Sequence, residues 1–170
     1  MNKQLEDFYL NNGTDDKERT LEFILAQDDE WWEFTHDFIQ WVFPTATKSG
    51  FNPNAPLLIK DSVMSYQPNN LNDNYNFERS CLRFVRFLEL DSDKPWWVDN
   101  APHNYLRITR FLESIKIVLL RQIAYGDLYT PDMIKVISPQ LKRIAENNPN
   151  DLLYVYNNYW APAGGLEIIK

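Results

Sequence analysis

The chain is short of several residues that usually carry chemistry. One cysteine, Cys81, stands in 170 residues, so no disulfide closes within the chain and no thiolate metal site can form. The two histidines, His36 and His103, form no His-x-x-x-His or Glu-x-x-His pair, and no metal or other cofactor is expected. Five glycines build neither a phosphate-cradling loop nor a Gly-x-Ser-x-Gly elbow. Positive charge is also scarce: 17 Lys and Arg face 24 Asp and Glu, a net charge of −7. That balance argues against nucleic acid as a partner, because such binding neutralises phosphates. The longest apolar run, near Ile115–Leu120, is broken by Lys116, far below the roughly 20 residues a membrane span needs.

What the chain has is aromatic bulk. Six Trp, nine Tyr and ten Phe make up 15% of it, against 24% charged residues. This is the composition of a packed globular domain, and the length suits one. Met1–Leu10 shows no signal-peptide pattern, and with no disulfide a cytoplasmic setting is expected.

The periodicity is helical wherever it can be read, and it predicts an all-α, single-domain bundle of six or seven helices. Residues 1–13 read as a short helix or tail ending near Asn11-Asn12-Gly13, a C-cap sequence. Thr14-Asp15-Asp16 is expected to cap a helix over Lys17–Ala26, and Asp28-Asp29 another over Glu30–Phe43, stopped by Pro44. Thr45–Pro56 reads as a loop, and Leu57–Tyr66 as a short helix. Phe77, Cys81, Phe84, Val85 and Leu88 form the stripe of a helix over Asp73–Leu90, with Arg79, Arg83 and Arg86 on a solvated face. A loop carrying Trp96-Trp97 precedes the longest helix, His103–Ile123, with Ile108, Phe111, Leu112, Ile115 and Leu119 as its core stripe. A helix capped by Thr130 runs to Asn147 with a break or kink at Pro139. The last helix runs from Pro149 to about Trp160, and residues 161–170 form a tail. Only Leu166–Ile169 hints at strand alternation.

Two helices attract functional attention. Within Glu30–Phe43 nearly every side is apolar, and Asp29, Glu33, His36 and Gln40 form one polar stripe at i, i+4, i+7 and i+11. On the partner helix His103, Arg107, Arg110 and Ser114 share a face at the same spacing. His36 and Gln40 either fix a helix register through hydrogen bonds or line a ligand cavity. Arg107 and Arg110 either clamp a carboxylate or phosphate or pair with Glu33, Asp29 or Glu113. The two helices should touch. Cys81, on an apolar face, reads as an inert buried thiol, and the Trp pairs read as core and loop anchors.

Asp28-Asp29-x-Trp31, His36-Asp-Phe-Ile-Gln-Trp-Val-Phe-Pro44, Asn54-Ala-Pro56 and Asn104-Tyr-Leu-Arg-Ile-Thr-Arg-Phe-Leu-Glu-Ser114 occur in an order that resembles the conserved N-terminal domain of the opioid growth factor receptor family. The resemblance covers about residues 14–160 and implies a short bacterial single-domain member. The family's eukaryotic members are described as receptors for the peptide Met-enkephalin. It therefore implies non-catalytic binding of a peptide or small anionic ligand, though it assigns no ligand-contact residues. His36, Gln40, Arg107 and Arg110 are the expected ligand-binding residues. Two other readings stand beside this one. One is an enzyme acting on a small phosphorylated or carboxylated compound, with His36 as acid–base. The other is a protein–protein interaction module.

Overall fold

The computed structural model describes residues 3–58, 71–92, 94–125 and 133–170, and within these the side chains of 71–74, 99–100 and 119–125 are not described. The protein is an all-α single domain, with no strand among the described residues. Helix α1 (Lys3–Tyr9) buries Leu5, Phe8 and Tyr9. Its end falls at Asn11-Asn12-Gly13, as expected: Asn11 takes the left-handed φ of 57°, and the N–H groups of Asn12 and Gly13 both donate to the Asp7 carbonyl at 2.9 Å. Asparagine tolerates that conformation because its short side chain bonds locally, and here Asn11 Oδ1 accepts from the Glu22 N–H at 3.0 Å.

Asp15 does not start a helix at Lys17. Its carboxylate accepts from the N–H groups of Lys17 and Arg19, both at 2.9 Å, and from Arg19 Nε at 2.7 Å, tying off a loop instead. Helix α2 (Leu21–Ala26) begins four residues later than expected, with Thr20 Oγ1 accepting from Phe23 N–H at 3.1 Å. Helix α3 (Asp29–Phe34) starts where the sequence predicts, the Asp28 carboxylate accepting from Trp31 N–H at 2.8 Å.

The expected single helix over Glu30–Phe43 is two. α3 stops at Phe34, Thr35 is extended at φ −97° and ψ 120°, and the helix resumes only as α4 (Ile39–Val42). His36 is therefore an exposed residue in the break and not part of a helical stripe with Gln40. The apolar content still goes inside, since Trp32, Phe38, Trp41, Val42 and Phe43 are fully buried.

Helix α5 (Leu71–Phe87) buries Cys81 and Phe84, and Leu88 just beyond its end. Burial pushes the Cys81 thiol up, so it stays protonated and inert. The α5 arginines are less solvated than expected. Arg79 pairs with both Glu22 carboxylate oxygens at 2.7 and 2.9 Å. Arg83 pairs with Asp29 at 2.8 Å and lies over the Trp32 ring at 4.6 Å. They bind α2 and α3 to α5, while Arg86 remains exposed.

The loop tryptophans close the end of α5. Trp97 Nε1 donates to the Leu88 carbonyl at 2.7 Å and Trp96 Nε1 to that of Phe87 at 3.3 Å, satisfying acceptors a helix end leaves over. Trp97 itself opens the short α6 (Trp97–Asn100). Helix α7 (His103–Tyr125) crosses the core, burying Ile108, Phe111, Leu112 and Ile115. Phe111 meets Phe84 at 4.7 Å and Phe43 at 4.9 Å between ring centres, so α4, α5 and α7 share one aromatic centre.

Helix α8 (Met133–Asn147) contains Pro139 without a break in the assigned helix. α9 (Pro149–Val155), a π-turn (Tyr156–Trp160) and α10 (Ala161–Gly164) form one continuous run, four residues past the expected end. The π-turn puts Tyr156 and Trp160 both inside, and Trp160 Nε1 donates to the Tyr105 carbonyl at 3.1 Å. Gly165 ends the run at φ 68°, a conformation glycine adopts without cost to a Cβ. The last residues are docked through Asn157, which exchanges hydrogen bonds with the backbone of Ile169 at 2.8 and 3.0 Å. The helix expected over Leu57–Tyr66 falls largely outside the described residues, as do the Thr130 cap and the Leu119 side chain. Among the described residues no helix is long and apolar enough to cross a membrane.

Candidate functional site

The break between α3 and α4 is held open by α7. Arg107 Nη1 donates to the Trp32 carbonyl at 2.9 Å. Nη2 donates to the carbonyls of Glu33 at 3.2 Å and Thr35 at 3.0 Å. These are carbonyls at the C-terminal end of α3, which would otherwise need donors from a further helical turn or water. A cation there also suits the negative end of the helix. The guanidinium thus replaces the donors that a continuous helix would have drawn from residues 36–39. Arg107 is 5% exposed, and it also donates to Asn104 Oδ1 at 3.2 Å.

Glu33 completes this joint. Its Oε1 lies 2.9 Å from His103 Nε2, and its Oε2 accepts from Asn104 Nδ2 at 3.1 Å and sits 3.7 Å from Arg107. Of the pairings the sequence left open, Arg107–Glu33 is made, and Asp29 turns away to Arg83. The two helix blocks do touch, as expected, but through a capped break and not along parallel stripes.

His36 stands over this joint with its ring centre 5.0 Å from that of His103. Partial burial, then the positive charge of Arg107 and the nearness of His103, hold its imidazole below the ordinary range, with Glu33 and Asp37 pulling the other way. Gln40, on α4, is 3% exposed. Its Nε2 donates to Ser49 Oγ at 3.3 Å, and its Oε1 is buried with no hydrogen-bond partner among the described residues. Turning the amide over exchanges acceptor for donor and still leaves one polar atom unmatched.

Arg110, one turn along α7 from Arg107, is differently placed. Its hydrogen bond, from Nη2 to the Gln40 carbonyl, is long at 3.5 Å, and its Nε is buried with no partner among the described residues. Burial pushes both Arg107 and Arg110 down to about 10, against the pull of Glu33 and Glu113 respectively. Both remain charged at neutral pH.

All four sequence-predicted residues, His36, Gln40, Arg107 and Arg110, line one cavity of about 250 Å³. Ser114, expected on the same face, does not line it. The remaining wall is supplied by His103, Ile39, Leu106 and the loop residues Ser49, Gly50 and Phe51. The sequence marks Thr45–Pro56 as a loop but not as part of the site, which its residues reach only through the fold. Among the described residues no carboxylate lines the cavity, although the chain as a whole carries −7. Such a lining can hold an anion through guanidinium and imidazole donors. A second cavity of about 230 Å³ has both Glu113 and Lys116 on its wall, and Lys116 already donates to the Pro162 carbonyl at 3.3 Å. Its charge is balanced. Among the described residues no group of His, Cys, Asp and Glu could hold a metal ion.

Set against known protein families, curated proteins and solved structures, the chain matches none.

Proposed function

We propose that this chain is a non-catalytic binding domain of the kind its resemblance to the opioid growth factor receptor conserved domain implies. Its ligand carries an anionic group, either on a small molecule or on a peptide, and that group enters the cavity at Arg110. The observation that carries the reading is the chemistry of the wall: the guanidinium groups of Arg107 and Arg110 beside the imidazoles of His36 and His103, with no carboxylate among the described lining residues, in an acidic chain. Within this set the roles divide. Arg107 has its donors committed to α3 and serves as scaffold. Arg110, with one long hydrogen bond, keeps donors for a ligand. Binding is favoured over turnover because Glu33, the carboxylate that would partner His36 in acid–base work, is already engaged by His103 and Asn104.

The test is a titration of the full chain with sodium acetate and with inorganic phosphate, followed by amide and imidazole NMR shifts. Shifts should cluster at His36, Gln40, His103 and Arg110. Arg110→Ala should weaken binding about tenfold or more, the worth of a lost charge-assisted hydrogen bond of about 1.5–3 kcal/mol. Shifts scattered over the surface, or an Arg110→Ala variant that binds as well as wild type, would refute it.

A further inference from the structure

The charged wall is only part of the cavity. Ile39, Leu106 and Phe51 also line it, and two of these are among the large apolar side chains the protein leaves in solvent, Phe51 at 72% and Leu106 at 57% exposed. They come from separate segments, the loop after α4 and helix α7, and both line this cavity. Single exposed hydrophobics are ordinary; two converging on one cavity that also holds under-bonded polar groups are the pattern of a ligand site. The size sets a further limit. A cavity of about 150 Å³ holds one benzene ring, so about 250 Å³ admits a ring together with a short polar arm and little more.

We propose that the ligand is a small aromatic monoanion, its carboxylate-like group at Arg110 and Gln40 and its ring between Phe51 and Leu106. This rests on the anion reading above and adds the apolar half of the ligand. A planar carboxylate suits Arg110, whose fork presents parallel N–H donors. Gln40, buried with one polar atom unmatched, supplies a further contact beside it. At the mouth, Phe51 offers a ring for edge or offset stacking, and covering it with Leu106 removes apolar surface from water. The same geometry disfavours a large polyanion, because the cavity is too small and Arg107 is already spent on α3.

Three probes of equal simplicity separate the two halves by calorimetry on the full chain: phenylacetate, acetate, and the neutral phenylacetamide. Phenylacetate should bind about ten- to a hundredfold tighter than acetate, the gain from burying one aryl group. It should also exceed phenylacetamide by about tenfold or more, the share of the charged contact. Phe51→Ala, at an exposed loop position that the fold does not depend on, should cut the phenylacetate-to-acetate ratio several-fold. If acetate and phenylacetate bind equally, or if Phe51→Ala leaves their ratio unchanged, the aromatic proposal falls while the anion reading stands. If phenylacetamide binds as well as phenylacetate, the anion reading falls. Binding of none of the three up to about 10 mM, beyond the millimolar range of a single small anion, overturns both.

Discussion

Truncating Arg107 to alanine removes the side-chain donors at the C-terminal end of α3 and leaves the Thr35 N–H on the Trp31 carbonyl. Three carbonyls lose their partner, those of Trp32, Glu33 and Thr35, at 2.9, 3.2 and 3.0 Å. Hydrogen bonds from a charged donor contribute about 1.5–3 kcal/mol each, so the upper bound is roughly 5–9 kcal/mol. Water entering from the adjoining cavity recovers part of it, and Glu33 keeps His103 and Asn104. The expected loss is about 3–5 kcal/mol, in the range seen when one partner of a buried charged network is removed. For a chain of this size it corresponds to a fall in Tm of roughly 6–20 °C. Arg110→Ala is the internal control. It lies on the same helix and wall, yet gives up only a 3.5 Å bond, so its stability should stay within about 1 kcal/mol of wild type. Arg107→Lys should recover less than half of the loss, because one ammonium cannot span three carbonyls as a planar fork does. The assay is urea unfolding at pH 7.5 by far-ultraviolet circular dichroism, with thermal melts alongside. Equal losses for Arg107→Ala and Arg110→Ala, or an Arg107→Ala loss under about 1 kcal/mol, would refute the division into scaffold and ligand arginines.

Two further outcomes follow from the packing and the charge. Trp41→Ala should cost about 3–5 kcal/mol, since Trp41 is fully buried against Phe8 and its Nε1 donates to Asp16 at 3.0 Å; an unchanged melt would mean α4 is not core. His36 is held below its ordinary pKa of 6.5 in the folded state, so the unfolded state binds more protons on acidification and stability falls as pH drops through and below 6.5. His36→Gln should flatten that part of the stability profile while leaving stability at pH 7.5 unchanged. An NMR titration placing the His36 pKa at or above 6.5 would contradict it.

Most of the architecture was legible in the sequence because it rests on apolar periodicity and on local caps. Over the described residues the stripes of α5 and α7 reappear as buried or half-buried faces, and Asp28 caps α3 where the pattern puts it. Where local signals misled, a competing interaction of the same residue type won. Asp15, expected within a helix cap, spent its carboxylate on a loop with Arg19.

The break at Thr35–Phe38 was beyond any such reading. Helical spacing along residues 30–43 is real, and it still sends Trp32, Phe38 and Trp41 inward. What interrupts it is a guanidinium more than seventy positions away, whose donors outbid the next helical turn. The sequence by itself determined the all-α class, the long helices and their apolar faces, and that His36, Gln40, Arg107 and Arg110 belong near one another. Only the tertiary structure decided that Arg107 is scaffold and Arg110 is not, and that Phe51 and Leu106 join the same cavity. The reason is physical: periodicity reports which side of an element is buried, whereas hydrogen-bond partners and cavity walls depend on distances between segments that pattern does not encode.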